Sequence, residues 1–421
     1  VNAPALEHDA LRAGLGRLGA APAYVEELRG AAKRRFEELG IPTTRDEAWK
    51  YTGLQGLLRT DFRPGPATAH PDLQQAGLGF LKAASVFVDG RLSHSAGSGV
   101  GALRAGFSDP RLQGLLGTLA PWKDDTFAAL NTACLEDGAW VEVEAGEAPR
   151  DPIVVVHLTS GGRVDHPRTL IHLGTGAAAT VIEVYAGLPG DVYFANPVTE
   201  VALDEAASLD LVRVELQSEG AFHIERVSAT QKRNSRFQCR NFVFGASLFR
   251  SDVGVRFAGE GGECTLEGLF VAHGSQHTDT ATRIVHAVPH CSSREVYKGI
   301  LGGRARGAFL GTIVVDKDAQ KTDAYQTNRN LLLSKDALVT SVPRLEILAD
   351  DVKCRHGSAT GRLDPNALFY LRSRGLSLPE ARALLVRAFG GDLIQHVRFE
   401  PLRDALLTEL ASRLASEPLE D

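Results

Sequence analysis

Methionine is missing from the chain altogether, and only three tryptophans occur among its 421 residues. Arg outnumbers Lys heavily. Both traits fit a biased genome, and no function is read into either. No apolar run approaches the roughly 18 residues that a membrane-spanning helix needs, so no membrane partner is expected. Residues 1–20 lack a basic start followed by an apolar stretch, so no export signal is read there and a cytoplasmic location is expected. An excess of positive charge is also lacking. Lys and Arg number 46 against 52 Asp and Glu, a net charge of −6, which speaks against a nucleic-acid groove or an anionic membrane surface as the main partner.

Cysteine is sparse and odd in number: Cys134, Cys239, Cys264, Cys291 and Cys354. Such a set in a long chain is no disulfide framework. No two are spaced C-x-x-C, which excludes a self-contained zinc ribbon, ferredoxin-type cluster or redox pair. Each reads first as a small buried apolar side chain. Metal chemistry would need His ligands, or ligands from another chain. Nucleotide and hydrolase motifs are lacking as well. There is no G-x-x-x-x-G-K-[ST] loop, so the chain should not hydrolyse nucleotide alone. Gly97, Gly99 and Gly101, and likewise Gly174 and Gly176, are not followed by helices that would open a dinucleotide fold, and they read as turns. There is no G-x-S-x-G elbow and no H-E-x-x-H helix.

What remains is an ordinary globular composition, 43% hydrophobic and 23% charged. At roughly 150 residues per domain the length allows about three domains or one elongated one. Residues 5–18 and 22–39 carry apolar residues at helical spacing. Pro22 suits a first turn, and Gly40 with Pro42 stops that helix. Residues 63–76 read as a linker. From about Ser85 to Leu348 short β-rich runs recur: SVFVDG, AWVEVE, PIVVVHL, ATVIEVYAG, LDLVRVEL, FQCRNFVFG, CTLEGLFVA and GAFLGTIVV. Gly, Asp, Asn and Ser interrupt them every 10–15 residues or so, the mark of an all-β region. No helix-length amphipathic segment breaks the run after Ala177, which disfavours a βαβ sheet. A sandwich, a barrel and a solenoid stay open, and the length of the region favours the solenoid although no strict repeat is visible. The end is helical again. Asp364-Pro365 opens one helix, which Gly375 stops. Ser377 to Glu380 forms a capping box for the next, and Leu402, Ala405, Leu406, Leu410 and Leu414 stripe a third.

Two clusters could carry chemistry. In VAHGSQHTDTATRIVHAVPHCSS, His273 and His277 are four apart, as are His286 and His290. On a helix such pairs could share a zinc ion. The flanks read as strands, where i and i+4 lie roughly 13 Å apart, so a structural role is expected. In LEILADDVKCRHGSATG, Cys354 and His356 are two apart and would point to one side of an extended segment. Thiolate and imidazole both serve iron and iron–sulfur chemistry, but two ligands cannot close a four-ligand site.

The segment ADDVKCRHGSATGRLDPNALFYLRSRG (residues 349–375) closely resembles the C-terminal signature of the SufB/SufD family of iron–sulfur cluster assembly proteins. RDEAWKYTGL (residues 45–54) resembles that family's N-terminal helical motif. FAALNTACLEDGAWVEV, QHTDTATRIVHAVPHCSSREVYKGIL and AQKTDAYQTNRNLLLS match its core in order, so the resemblance spans roughly residues 40–395. Within the family the chain looks like the SufD type: it carries the DDVKCxHG segment and lacks the N-terminal cysteine cluster often seen in SufB. Arg355 departs from the small residue common between Cys and His.

The resemblance implies a mainly β fold, a right-handed parallel β-helix flanked by helical domains. The divisions expected are residues 1–76 (N-terminal helices and linker), 77–348 (β-helix) and 349–421 (cluster-interface segment and C-terminal helices). It implies a non-catalytic scaffold that pairs with a SufB-type paralogue and with the ATPase SufC, the latter through the C-terminal helices. A transient iron–sulfur cluster would be shared with the SufB partner. His356 is favoured as the ligand from this chain, with Cys354 beside it. No nucleotide site of its own is expected. A reduced flavin is sometimes associated with the complex, but no motif for one is visible. Trp49 and Tyr51 are expected to be structural anchors. The alternative is a homodimeric iron or metal carrier acting without SufC. A solenoid enzyme such as a polysaccharide lyase would need an export signal and a cluster of acidic and basic residues along one face, and it is set aside.

Overall fold

The computed structural model describes residues 11, 18–63, 73–74, 76–81, 83–97 and 99–415. The helix expected over residues 5–18 and most of the linker at 63–76 lie outside the described residues. Ala23–Leu39 is a helix that ends on Gly40, whose φ of 67° is costly for any residue with a Cβ.

The body is a parallel β-solenoid with a ten-stranded and an eleven-stranded sheet facing one another. Each of the eight runs picked out in the sequence contains a strand. From Val198–Leu203 onward successive strands alternate between the two sheets, and each pairs with the strand two places later until the last two. Along the ten-stranded sheet the pairing advances 27 residues at Cys239↔Leu266 and 31 at Glu295↔Gln326. Corners of unequal length therefore hide the repeat from a search for a fixed period. Between Val100–Ala102 and Ala139–Val143 the chain leaves the coil to form helices at Leu103–Gly106, Pro110–Leu115 and Thr126–Ala133. The core between the sheets is apolar through most of its length, with Val155, Val181, Leu211 and Leu266 from one sheet against Val227, Val253 and Ile284 from the other.

The outer faces are covered differently. The N-terminal segment and the helix Thr126–Ala133 pack on the eleven-stranded sheet, with Trp49, Leu54, Leu57, Phe127, Phe222 and Ile224 in one cluster. Thr52 is the buried polar residue of this segment: its hydroxyl meets His277 Nε2 at 3.0 Å and donates to Asp279. Tyr51, read as an anchor beside Trp49, is only half-buried. On the ten-stranded sheet, the helices Leu378–Ile394 and Glu400–Ala415 bury Val386, Leu393, Leu402, Leu406 and Leu410 against Val214, Phe242, Leu269 and Ile300. The expected caps are present: Asp364 accepts from Asn366 N, and Ser377 and Glu380 form the capping box.

The solenoid ends later than the sequence division at residue 348. Lys353–Gly361 is its last strand, paired in parallel with Asp323–Leu332, so the Cys354–His356 segment belongs to the β body. At the N-terminal end antiparallel strands close the coil. At the other end Leu338–Ile347 and Lys353–Gly361 are the edge strands of the two sheets, and among the described residues nothing pairs with their outer edges.

Candidate functional site

The open end is built by continuing two inward columns of the ten-stranded sheet. One runs Cys264, Ser293, Ala324, Cys354, and the other Leu266, Glu295, Gln326, His356. Ala324 and Gln326 are 1% and 0% exposed because the next coil lies over them. Among the described residues no further coil covers the last strand. Cys354 is consequently half-buried, packed against Ile313, Val315, Ala319 and Ala349, and His356 is exposed. The period of two along a strand puts thiol and imidazole on one side. Burial pushes the Cys354 thiol above its ordinary value, opposed by the backbone N–H of Ala324. Behind His356 the column turns polar. Gln326 Nε2 donates to Glu295 Oε2 at 2.7 Å, and burial pushes that carboxyl up to about 7.

A thiol and an imidazole side by side on an uncovered edge have the chemistry of soft-metal ligands, but two donors do not close a four-ligand site.

The histidines of the other cluster stand apart. His277 and His286 sit at opposite ends of one ten-residue strand. His277 contacts Thr52, and His286 Nε2 meets Ser293 Oγ at 2.9 Å. His273 faces Glu219 at 3.2 Å, and His290 occupies a turn with φ 60°. Cys134, Cys239, Cys264 and Cys291 are buried and free, as their composition led one to expect.

Sequence reasoning missed a second polar assembly deep in the solenoid. Arg213 pairs with Glu183 and Glu225, and His223 Nε2 stands 3.0 Å from Glu225 Oε2 and 3.5 Å from Glu215 Oε2. Burial first, then the neighbouring Glu225, push the Glu215 carboxyl well above the usual range, while burial holds the His223 imidazole below its own. The signal was present in LVRVEL. Arg213 and Glu215 keep the same parity as the core residues Leu209 and Leu211, so both had to point inward.

Two comparisons with known proteins bear on this arrangement. A family model described as the SufBD core domain of SUF system FeS cluster assembly matches residues 156–389, and one for the SufBD protein N-terminal region matches residues 19–74. The chain is 31% identical over 397 residues to the iron–sulfur cluster assembly protein SufD of Escherichia coli, covering 91% of this chain and 92% of that one. It is 30% identical to an iron–sulfur cluster assembly SufBD family protein of Synechocystis, covering 91% and 89%. A SufBD family protein of Mycobacterium tuberculosis is also 30% identical, covering 89% of each chain. Among the described residues no helix is long and apolar enough to cross a membrane. With a core profile spanning more than half its length and relatives that align nearly end to end, the chain belongs to the SufBD family of iron–sulfur cluster assembly proteins.

Proposed function

We propose that the chain is a non-catalytic scaffold subunit that meets a SufB-type paralogue across its open end and holds a nascent iron–sulfur cluster there as cargo. The observation that carries this reading is the His356 imidazole, exposed on the last uncovered coil two residues from a half-buried thiol. His356 is the ligand from this chain. Cys354 contributes less, because its packing and raised thiol make it the poorer donor at neutral pH. His356→Ala should leave folding and association intact and abolish cluster formation in cells that depend on this system. Cys354→Ser should give a milder loss. Complementation in vivo, with gel filtration of the variant complex, decides. Normal assembly together with full cluster-enzyme activity in His356→Ala would reduce the imidazole to a structural role.

The SufC ATPase is proposed to dock on the C-terminal helices. The helix Pro365–Ser373 has no buried residue and leaves Phe369 and Tyr370 75% and 57% exposed. Removing residues 364–421 is a poor test, since it would strip the cover from Phe242, Leu269 and Ile300. A Phe369→Asp, Tyr370→Asp variant is the cleaner probe. It should lose SufC on affinity isolation while melting at the temperature of the parent. If SufC and a β-helix paralogue do not co-purify with the native chain, and it runs as a dimer of itself, the homodimeric metal carrier takes the place of this reading.

A further inference from the structure

We propose that the solenoid interior carries a metal site of its own, in which Glu215, His223 and Glu225 bind one divalent first-row transition ion. The site does not involve the last strand and does not depend on the function proposed for it.

Glu215 ends the strand Ser208–Leu216, while His223 and Glu225 open the strand Phe222–Gln231, so the three side chains flank a single corner of the coil. One ligand atom from each lies within 4.8 Å of the other two. Two of the three separations are already close to coordination geometry, at 3.0 Å from His223 Nε2 to Glu225 Oε2 and 3.5 Å to Glu215 Oε2. Ligands bonded at about 2.0–2.2 Å around one ion stand ~3–3.5 Å apart.

Glu215 points to a missing ligand. It is 0% exposed, and its carboxylate oxygens receive no donor other than the neighbouring Glu225 carboxyl, a contact that needs either a shared proton or a bound cation. Arg213 Nη2 stands 3.9 Å from one oxygen, while the guanidinium is committed to Glu183 and Glu225. A buried carboxylate is ordinarily paired or bound to a metal. Ionised together, Glu183, Glu215 and Glu225 against one guanidinium and a neutral imidazole would leave two negative charges in a space closed to solvent. One divalent cation discharges it.

The imidazole is held as a ligand would be. Its ring stacks on Phe249 at 5.2 Å and meets the edge of Tyr185 at 5.4 Å, which fixes its plane. Gln217 contacts Nδ1 at 2.8 Å, the outer partner that sets which ring nitrogen is free. Turning the Gln217 amide presents its oxygen to an Nδ1–H and frees Nε2 for the ion, while the hydroxyl of Tyr193, which now donates to that oxygen, becomes the acceptor of the amide N–H. Gln217 also lines a surface pocket of about 520 Å³ with Gly187, Leu216, Ser218 and Glu409, so the pocket reaches the residue that contacts His223. One imidazole and two carboxylates without thiolate suit Fe²⁺, Mn²⁺, Co²⁺ or Zn²⁺, whereas Ca²⁺ and Mg²⁺ favour all-oxygen shells.

The test uses the full chain carrying His356→Ala and Cys354→Ser, so that the open end contributes no ligand, and Co²⁺ as an absorbing probe under anaerobic conditions. One Co²⁺ per chain should bind, with weak d–d bands and no sulfur charge-transfer band. Adding Glu215→Gln or His223→Gln should weaken binding at least roughly tenfold. Glu215→Gln keeps a donor toward Glu225, so in chelator its melting temperature should not fall below that of the background. Should a variant fail to fold, anomalous scattering at the cobalt edge from crystals of the background protein should place the ion between the three side chains. Absence of binding, binding unchanged by Glu215→Gln, or an anomalous peak elsewhere overturns the proposal, and a proton shared by Glu215 and Glu225 then discharges the cluster.

Discussion

The guanidinium of Arg250 lies over the ring of Trp49, its central carbon 4.0 Å from the ring centroid. The same Arg reaches Asp252 at 2.9 Å and also pairs with Asp279, and the indole meets Phe127 at 5.3 Å between centroids. Trp49 thereby joins the N-terminal segment to both the eleven-stranded sheet and the helix Thr126–Ala133. Trp49→Ala should lower the unfolding free energy by roughly 3–5 kcal/mol, read from denaturant midpoints. A smaller change than about 1 kcal/mol would show that the segment docks through Thr52 and Leu54 alone.

Arg168 and Glu200 form a fully buried ion pair at 2.6 Å. The guanidinium also donates to Asn131 Oδ1 at 2.8 Å and Thr132 Oγ1 at 3.1 Å, while Glu200 accepts from the backbone N–H groups of Gly117, Leu119 and Ala120. The pair thus fastens the excursion at residues 103–135 to the coil. Arg168→Leu strands a carboxylate and should cost about 3–5 kcal/mol. Amide exchange should quicken at residues 117–120 ahead of the rest of the protein.

Burial, with Asp89 nearby, pushes the Asp165 carboxyl up to about 7, against the hydrogen bonds from His166 N and Thr159 Oγ1. Its value in the unfolded chain is about 4, so between those pH values the native state holds more protons than the unfolded one. The contribution is complete below about pH 4 and is lost as pH rises through 7. Asp165→Asn should remove that loss and be the more stable protein at pH 8, by about 4 kcal/mol if nothing else titrates in the window. Melting curves of both proteins from pH 4 to 8 should converge at the acid end.

Two glycines should differ sharply in what they tolerate. A Cβ on Gly245 would sit 2.2 Å from the Gln217 carbonyl oxygen, a backbone atom that cannot swing aside. A Cβ on Gly40 meets nothing within 4 Å, although its φ of 67° carries the ordinary left-handed penalty. Gly245→Ala should cost about 3 kcal/mol or more and Gly40→Ala about 1 kcal/mol, both read from denaturant titration.

The helix–β–helix order and the last-turn pair were readable because they rest on local patterns. Alternating apolar residues, Asp-Pro and Ser-Leu-Pro-Glu signals act over a few residues, and Cys354 and His356 share a face by simple parity. The extent of the coil was not readable, because the last strand KCRHGSATG has little apolar content. It is held by pairing with Asp323–Leu332 rather than by packing. The lumen cluster escaped for a different reason. Arg213, Glu215, His223 and Glu225 resemble surface charges when each strand is read alone, and they meet only because the corner folds one strand onto the other. The burial of the C-terminal helices was likewise hidden, since an apolar stripe does not say whether its partner lies in the same chain.

The unclosed end makes the chain's own durability depend on supply. Two strand edges with unpaired backbone groups invite addition of further strands, and only a few features discourage it: Pro343, which has no N–H to offer, and the exposed charges of Arg344, Lys353 and Arg355. Whatever binds that end binds the folded state alone, so it raises the melting temperature in proportion to the logarithm of its concentration. If the proposed paralogue takes that end, a cell that makes this chain in excess of it would accumulate molecules with both edges uncovered. On that proposal, matched synthesis of the two protects the fold as well as the assembly.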